Sequence, residues 1–213
     1  ELVNNLVYNF GYFGTVFSDN GTQVTVNLIN NYHIAGPKTA ASRYSIALNN
    51  GVTAYAQGNI NSKRPSPSDP EWNAIGCESG CGAYMGGPAP TAWQSSVPFD
   101  FPLQHVATMS ASTIRDGVIA DAGANLVKDA VDTRIFRDVL DGTGGFVDDP
   151  ADVGGWPTLA AMTAVPGDTD DDGMADAWET QSFGSLASGP NDDTDGDGYT
   201  DLEEYLHHLA AGG

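Results

Sequence analysis

Between residues 168 and 179 the chain reads DTDDDGMADAWE, and between 193 and 204 it reads DTDGDGYTDLEE. Each stretch sets Asp at positions 1, 3, 5 and 9, Gly at position 6 and Glu at position 12. The first uses Asp168, Asp170, Asp172, Asp176, Gly173 and Glu179; the second uses Asp193, Asp195, Asp197, Asp201, Gly198 and Glu204. Carboxylates at alternate positions of a tight loop converge on one centre, and calcium takes about six to eight hard oxygens at about 2.3–2.6 Å. The glycine permits the sharp turn, the backbone carbonyl of Met174 or Tyr199 adds an oxygen, and Glu179 or Glu204 closes the site with both of its own. Asp176 and Asp201 are expected to act directly or through water. One acidic turn of this kind arises by chance, but two complete loops starting 25 residues apart argue for two calcium sites. Each runs straight into a predicted helix, 176–183 or 201–211.

Charge supports the same chemistry. The formal net charge is −20, unevenly spread. Residues 1–147 hold 12 acidic and 8 basic residues, whereas 148–213 hold 16 acidic residues and no Lys or Arg. Such an excess repels nucleic acid and favours divalent cations. No apolar run approaches the roughly 18 residues of a membrane span, so neither nucleic acid nor membrane is an expected partner.

The elements that must carry this tail begin with three related stretches: LVNNLVYNFG (2–11), VTVNLINNYHIAG (24–36) and GVTAYAQGNI (51–60). Each is a short β-branched run containing asparagine, and Asn5, Asn31 and Asn59 recur at near-constant spacing. Strand plus turn at a fixed period predicts a stacked solenoid, in which side-chain amides bond to the rungs above and below. A β-sandwich with asparagines in its turns is the alternative.

Residues 61–108 are rich in Pro, Gly and Ser and read as covering loop, with Trp72 and Trp93 as packing anchors. Helical spacing of Ile114, Val118 and Ile119, then of Val131, Ile135 and Val139, predicts helices over 110–124 and 127–140, the second closed by Gly142 and both folding back on the solenoid. The organisation expected is therefore 1–147, a linker over 148–166, and a tail module over 167–213. Cys77 and Cys81 predict a small local disulfide, with free thiols as the alternative; a bridge implies an oxidising, extracellular compartment. Zinc would need two further ligands.

Lys38, Arg43, Lys63 and Arg64 are half of the basic residues, packed into 27 positions. They are candidates to bind carboxylates of an acidic polysaccharide, against the plainer reading of a solvated loop surface. His33 in a strand and His105 in a loop have no identifiable partner, and His207 and His208 read as a solvated helix face.

LVNNLVYNFG, VNLINNYHIAGP and TAYAQGNI together resemble the late rungs of the pectate-lyase family of polysaccharide lyases. GANLVKDAVDTRIFRDVLDGTG resembles the segment that follows those rungs in bacterial members. The paired acidic loops resemble the duplicated loop–helix units of dockerins and EF-hand-like extracellular calcium-repeat proteins. The resemblance implies a mainly β chain, a right-handed parallel β-helix with C-terminal helices and a small α calcium-loop tail. It further implies a secreted, calcium-dependent enzyme that cleaves polygalacturonate by β-elimination, an arginine removing the C5 proton. In the family, that arginine and the active-site calcium carboxylates precede the VNNLVYN strand, so no catalytic residue carries over to this chain. The expectation is a C-terminal portion, inactive alone, whose open first rung pairs with its own N-terminal half or with another copy. Alternatives are a non-catalytic, filament-forming extracellular β-helix or a glycan-binding module.

Overall fold

The computed structural model describes all residues except 20, 41–43, 85, 102–106, 124–126, 159–164, 166 and 213. The first coil of chain lays down β1 (Leu2–Val3), β2 (Leu6–Tyr8) and β3 (Thr15–Phe17). The second lays down β4 (Val24–Ile29), β5 (Tyr32–Ile34) and β6 (Ile46–Asn49), each parallel to its counterpart one coil earlier. The third supplies β7 (Val52–Gln57), a parallel bridge from Ile60 to Tyr32, and β8 (Ile75–Ser79). Then β9 (Gln94–Ser95) returns to the first sheet. Three parallel sheets result, ordered β1-β4-β7-β9, β2-β5 and β3-β6-β8. The fold of this part is mainly β, as expected.

Side-chain alternation builds the interior. Val26 and Leu28 of β4 and Val52 and Ala54 of β7 point inward, joined by Ile46, Leu48 and Ile75 from the third sheet. Removing these apolar surfaces from water is the main stabilising term.

The corners explain the asparagines. Asn4 and Asn30 follow β1 and β4 in left-handed conformation (φ 58° and 53°), and Gly58 follows β7 at φ 73°. Only Gly, and Asn or Asp among other residues, adopt this region readily. A Cβ on Gly58 would lie 1.8 Å from the Asn30 side-chain oxygen, so glycine at the third corner leaves Asn30 its place. One residue on, Asn5 donates from its backbone N–H and its Nδ2 to Asn31 Oδ1, both at 3.0 Å. Asn31 donates in the same way to Asn59 Oδ1, at 3.2 and 2.8 Å. The last amide needs a group that accepts twice. Glu71 provides it: Oε1 accepts from Asn59 N and Nδ2 at 2.9 Å, and Oε2 accepts from Gly58 N at 2.7 Å.

The reading of 61–108 as covering loop is corrected by β8 and β9, both paired in parallel. The prolines fall outside these strands. Pro70 and Pro90 precede the short 3₁₀ turns Glu71–Ala74 and Thr91–Trp93, which deliver Trp72 and Trp93 to the core as expected. Cys77 and Cys81 are paired with one another across the turn that follows β8.

Helices α1 (Ala111–Asp121) and α2 (Ala130–Asp141) form where predicted. Ile114 of α1 is buried and the helix lies against β2 and β5. Asp129 caps α2 by accepting from Val131 N and Asp132 N, and left-handed Gly142 ends it. Its apolar stripe is not buried, however, and Ile135 is 46% exposed.

His33 is buried, with Nε2 and Thr15 Oγ1 2.9 Å apart and Nδ1 without a partner. Burial lowers its pKa from the ordinary 6.5 to about 4. The folded state therefore binds its proton less readily than the unfolded chain does. The stability it contributes is complete above pH 6.5 and is lost as pH falls through the window from 6.5 to about 4. Protonation across that window costs about 3 kcal/mol. Urea denaturation of this unit at pH 7.5 and 5 tests this: His33→Gln flattens the pH dependence, and an unchanged slope in the variant removes His33 as its source.

Contacts divide the chain into two units, 1–124 with 128–156, and 125–127 with 157–213. The second unit holds α3 (Asp176–Ser182) and α4 (Asp201–Ala210). Thr200 and Glu203 cap α4 reciprocally, side chain to backbone in both directions. The partly buried Trp178 packs between two rings, its centroid 5.1 Å from those of both Phe183 and Tyr205.

Candidate metal centre

The two acidic loops fold by the same internal bonds. In the first, Asp168 accepts from Asp172 N at 3.2 Å and Gly173 N at 3.0 Å, and Asp172 Oδ1 accepts from Met174 N at 2.9 Å. In the second, Asp193 accepts from Asp197 N and Gly198 N, both at 3.1 Å, and Asp197 Oδ1 accepts from Tyr199 N at 2.9 Å. Gly173 and Gly198 turn the chain at φ 97° and 99°. These turns aim carboxylates inward. Oxygens of Asp168, Asp170 and Asp176 come within 4.8 Å of one another, as do those of Asp170, Asp172 and Glu179, and those of Asp193, Asp195 and Asp197.

Position 9 has a task that the spacing did not announce. Asp176 accepts from Thr169 N at 2.8 Å and from the Thr169 hydroxyl. Asp201 accepts from Thr194 N at 2.9 Å and Thr194 Oγ1 at 2.7 Å. Both thus brace the loop entrance, a role signalled only by the shared Thr at position 2. Hydrogen bonds from Thr169 hold the Asp176 carboxyl below its usual range.

Glu179 is the most telling residue. It is 0% exposed, and both carboxylate oxygens lack any hydrogen-bond donor, as does the buried Asp172 Oδ2. Burial raises the Glu179 pKa, and the fields of Asp172, Asp170, Asp176 and Asp168 add to it. Glu204 is raised by the same causes, burial first and then Asp195, Asp197, Asp201 and Asp193. A buried, undonated carboxylate is costly unless a cation or donor meets it. The donor set is all hard oxygen, which suits calcium better than zinc. Met174 is buried at position 7 of the first loop, whereas Tyr199 is 51% exposed at the same place in the second.

The basic candidates part company. Arg64 is 3% exposed and faces inward. Its Nη2 is 3.1 Å from Glu71 Oε2 and donates to Pro67 O at 2.8 Å, Nε donates to Asp69 O at 3.0 Å, and Nη1 donates to Asn59 O. This corrects its assignment to a polysaccharide groove: the guanidinium is spent neutralising the residue that ends the amide ladder. Lys38 and Lys63 are exposed, the Lys63 ammonium lying 5.7 Å from the Tyr44 ring centre. Arg43 and His105 lie outside the described residues. His207 and His208 are exposed on α4, as expected.

Three parallel sheets in one unit and two acidic loops in another define the chain in structural terms. No family model matches it. It is similar to curated proteins described as probable pectate lyase C: 33% identical in Aspergillus fumigatus, over 98% of this chain and 48% of that protein. In Aspergillus flavus the identity is 31% over the same shares, and in Emericella nidulans it is 30% over 100% of this chain and 48% of that protein. The chain spans about half the length of the curated relatives it matches.

Proposed function

We propose that this chain is the C-terminal part of a secreted, calcium-dependent pectate-lyase-like enzyme built on a right-handed parallel β-helix. The enzyme cleaves acidic polysaccharide of the polygalacturonate class by β-elimination: a base takes the C5 proton, the C4–O glycosidic bond breaks, and a C4–C5 double bond remains. The observation that carries this reading is the likeness along the whole chain to proteins described as probable pectate lyases.

Within that enzyme the described residues supply coils and covering segments rather than the base, and no residue here is assigned a catalytic role. Lys38 and Lys63, exposed beside the coils, are the cations left to meet polysaccharide carboxylates. The two acidic loops hold calcium that orders the tail, a use supported by the undonated Glu179 carboxylate. The Cys77–Cys81 bridge supports secretion, since such bonds persist in oxidising surroundings. Among the described residues no helix is long and apolar enough to cross a membrane. β1, β2 and β3 each pair on one side only among the described residues, an edge that suits the enzyme's N-terminal coils.

The test uses a polypeptide of the relatives' full length that carries residues 1–213 as its C-terminal part. With polygalacturonate and calcium it accumulates unsaturated products absorbing in the ultraviolet, chelator stops it, and residues 1–213 alone give a flat trace. A full-length polypeptide that binds polygalacturonate without cleaving it would make this a glycan-binding protein instead.

A further inference from the structure

We propose that the two acidic loops load in a fixed order. The 168–179 loop takes the first calcium, holds it with fewer water molecules and releases it last, while the 193–204 loop exchanges with solvent. The proposal rests on the calcium reading above and adds an order to it.

Ligand chemistry does not distinguish the loops, because both carry Asp at positions 1, 3, 5 and 9 and Glu at 12. Their surroundings do. In the first loop the closing carboxylate of Glu179 is wholly buried, undonated, and within 4.8 Å of Asp170 and Asp172 oxygens. Asp172 Oδ2 is buried and undonated as well. These oxygens have already lost their water, so a cation entering there need not displace it, and its attraction acts through a low-dielectric medium. Met174, fully buried at position 7, seals that side.

In the second loop Asp193, Asp195 and Asp197 are all exposed, Glu204 is half-buried, and Tyr199 at position 7 stands out in solvent. Carboxylates there are hydrated before the ion arrives, and the ion keeps part of its own shell. An ion that keeps part of its water shell is held by fewer protein oxygens in a less rigid site, so it binds more weakly and leaves sooner.

The order has a structural link. Glu179 and Trp178 are neighbours on α3, and the Trp178 ring lies 5.1 Å from that of Tyr205, which directly follows Glu204 on α4. An ion that fixes Glu179 also fixes the surface on which α4 rests, and so positions Glu204. Filling the first loop thereby favours filling the second.

Calorimetric titration of calcium into chelator-treated protein, as wild type, Glu179→Gln and Glu204→Gln, tests this. Two phases are expected, separated by about tenfold or more in Kd. Glu179→Gln removes the tight phase and weakens the other; Glu204→Gln removes the weak phase and leaves the tight one. Should a variant fail to fold, europium luminescence lifetimes of wild type in H₂O and D₂O decide independently: the first equivalent binds fewer waters than the second. Two indistinguishable sites, a tight phase lost in Glu204→Gln, or a wetter first ion each overturns the order while leaving the calcium reading intact. No binding of calcium at all overturns both.

Discussion

Replacing Arg64 with Met destabilises the parallel-sheet unit by about 3 kcal/mol, the lower end of what removing one partner from a buried ion pair costs. Arg64 is almost wholly buried, and Glu71 keeps only a small part of its surface in water. Without the guanidinium, Glu71 retains its three donors from Gly58 and Asn59 but loses its counter-charge. Three backbone carbonyls, of Asn59, Pro67 and Asp69, lose a donor at the same time. The expected result is a lower urea midpoint with an unchanged m-value. Pairing Arg64→Met with Glu71→Gln restores part of the loss, because a neutral amide oxygen can still receive the ladder without a buried charge. A cost below about 1 kcal/mol, the range of exposed ion pairs, means that Arg64 is solvated after all and free to meet carbohydrate.

Chelation is expected to unfold the tail and spare the sheets. Each acidic loop carries carboxylates at five candidate ligand positions, and neither loop has a Lys or Arg to offset them. Bound calcium contributes about 2.7 kcal/mol per site at a free concentration 100 times Kd, a large share of what a unit of this size can hold. With chelator, the near-ultraviolet signal of Trp178 and Tyr205 collapses and the chain between 167 and 211 becomes protease-sensitive, while the far-ultraviolet β signal persists. Loss of both signals together makes calcium a requirement of the sheets as well. No change in either makes the loops incidental acidic turns.

Much of this architecture is visible in residue spacing because coil and loop are both periodic. Asn5, Asn31 and Asn59 mark the coil, and the residues before them, Asn4, Asn30 and Gly58, are types that turn left-handed at low cost. The acidic loops declare themselves by two matching sets of ligand positions. What escaped had no period to betray it. Arg64 and Glu71 meet across a proline-rich excursion, so the pair can be found only once the chain is folded. β8 and β9 sit among prolines that mask them, although the prolines lie outside the strands and prime the short turns bearing Trp72 and Trp93. The regular stripe of α2 was misleading in the opposite sense: periodicity promised a buried face, and Ile135 stands partly in water.

The amide ladder has a direction. From amide to amide the bonds run one way, Asn5 to Asn31 to Asn59 to Glu71, while Asn31 Nδ2 and Asn59 Nδ2 also donate back to Leu2 O and Leu28 O. At the head, a carboxylate held by Arg64 has nothing left to donate. At the tail, Asn5 makes no bond through its Oδ1 among the described residues. A neighbour that offered Asn5 only a carboxylate would bring acceptor against acceptor. Asn5 Oδ1 is left to receive a donor, whereas the far end of the row is filled by the Glu71 carboxylate.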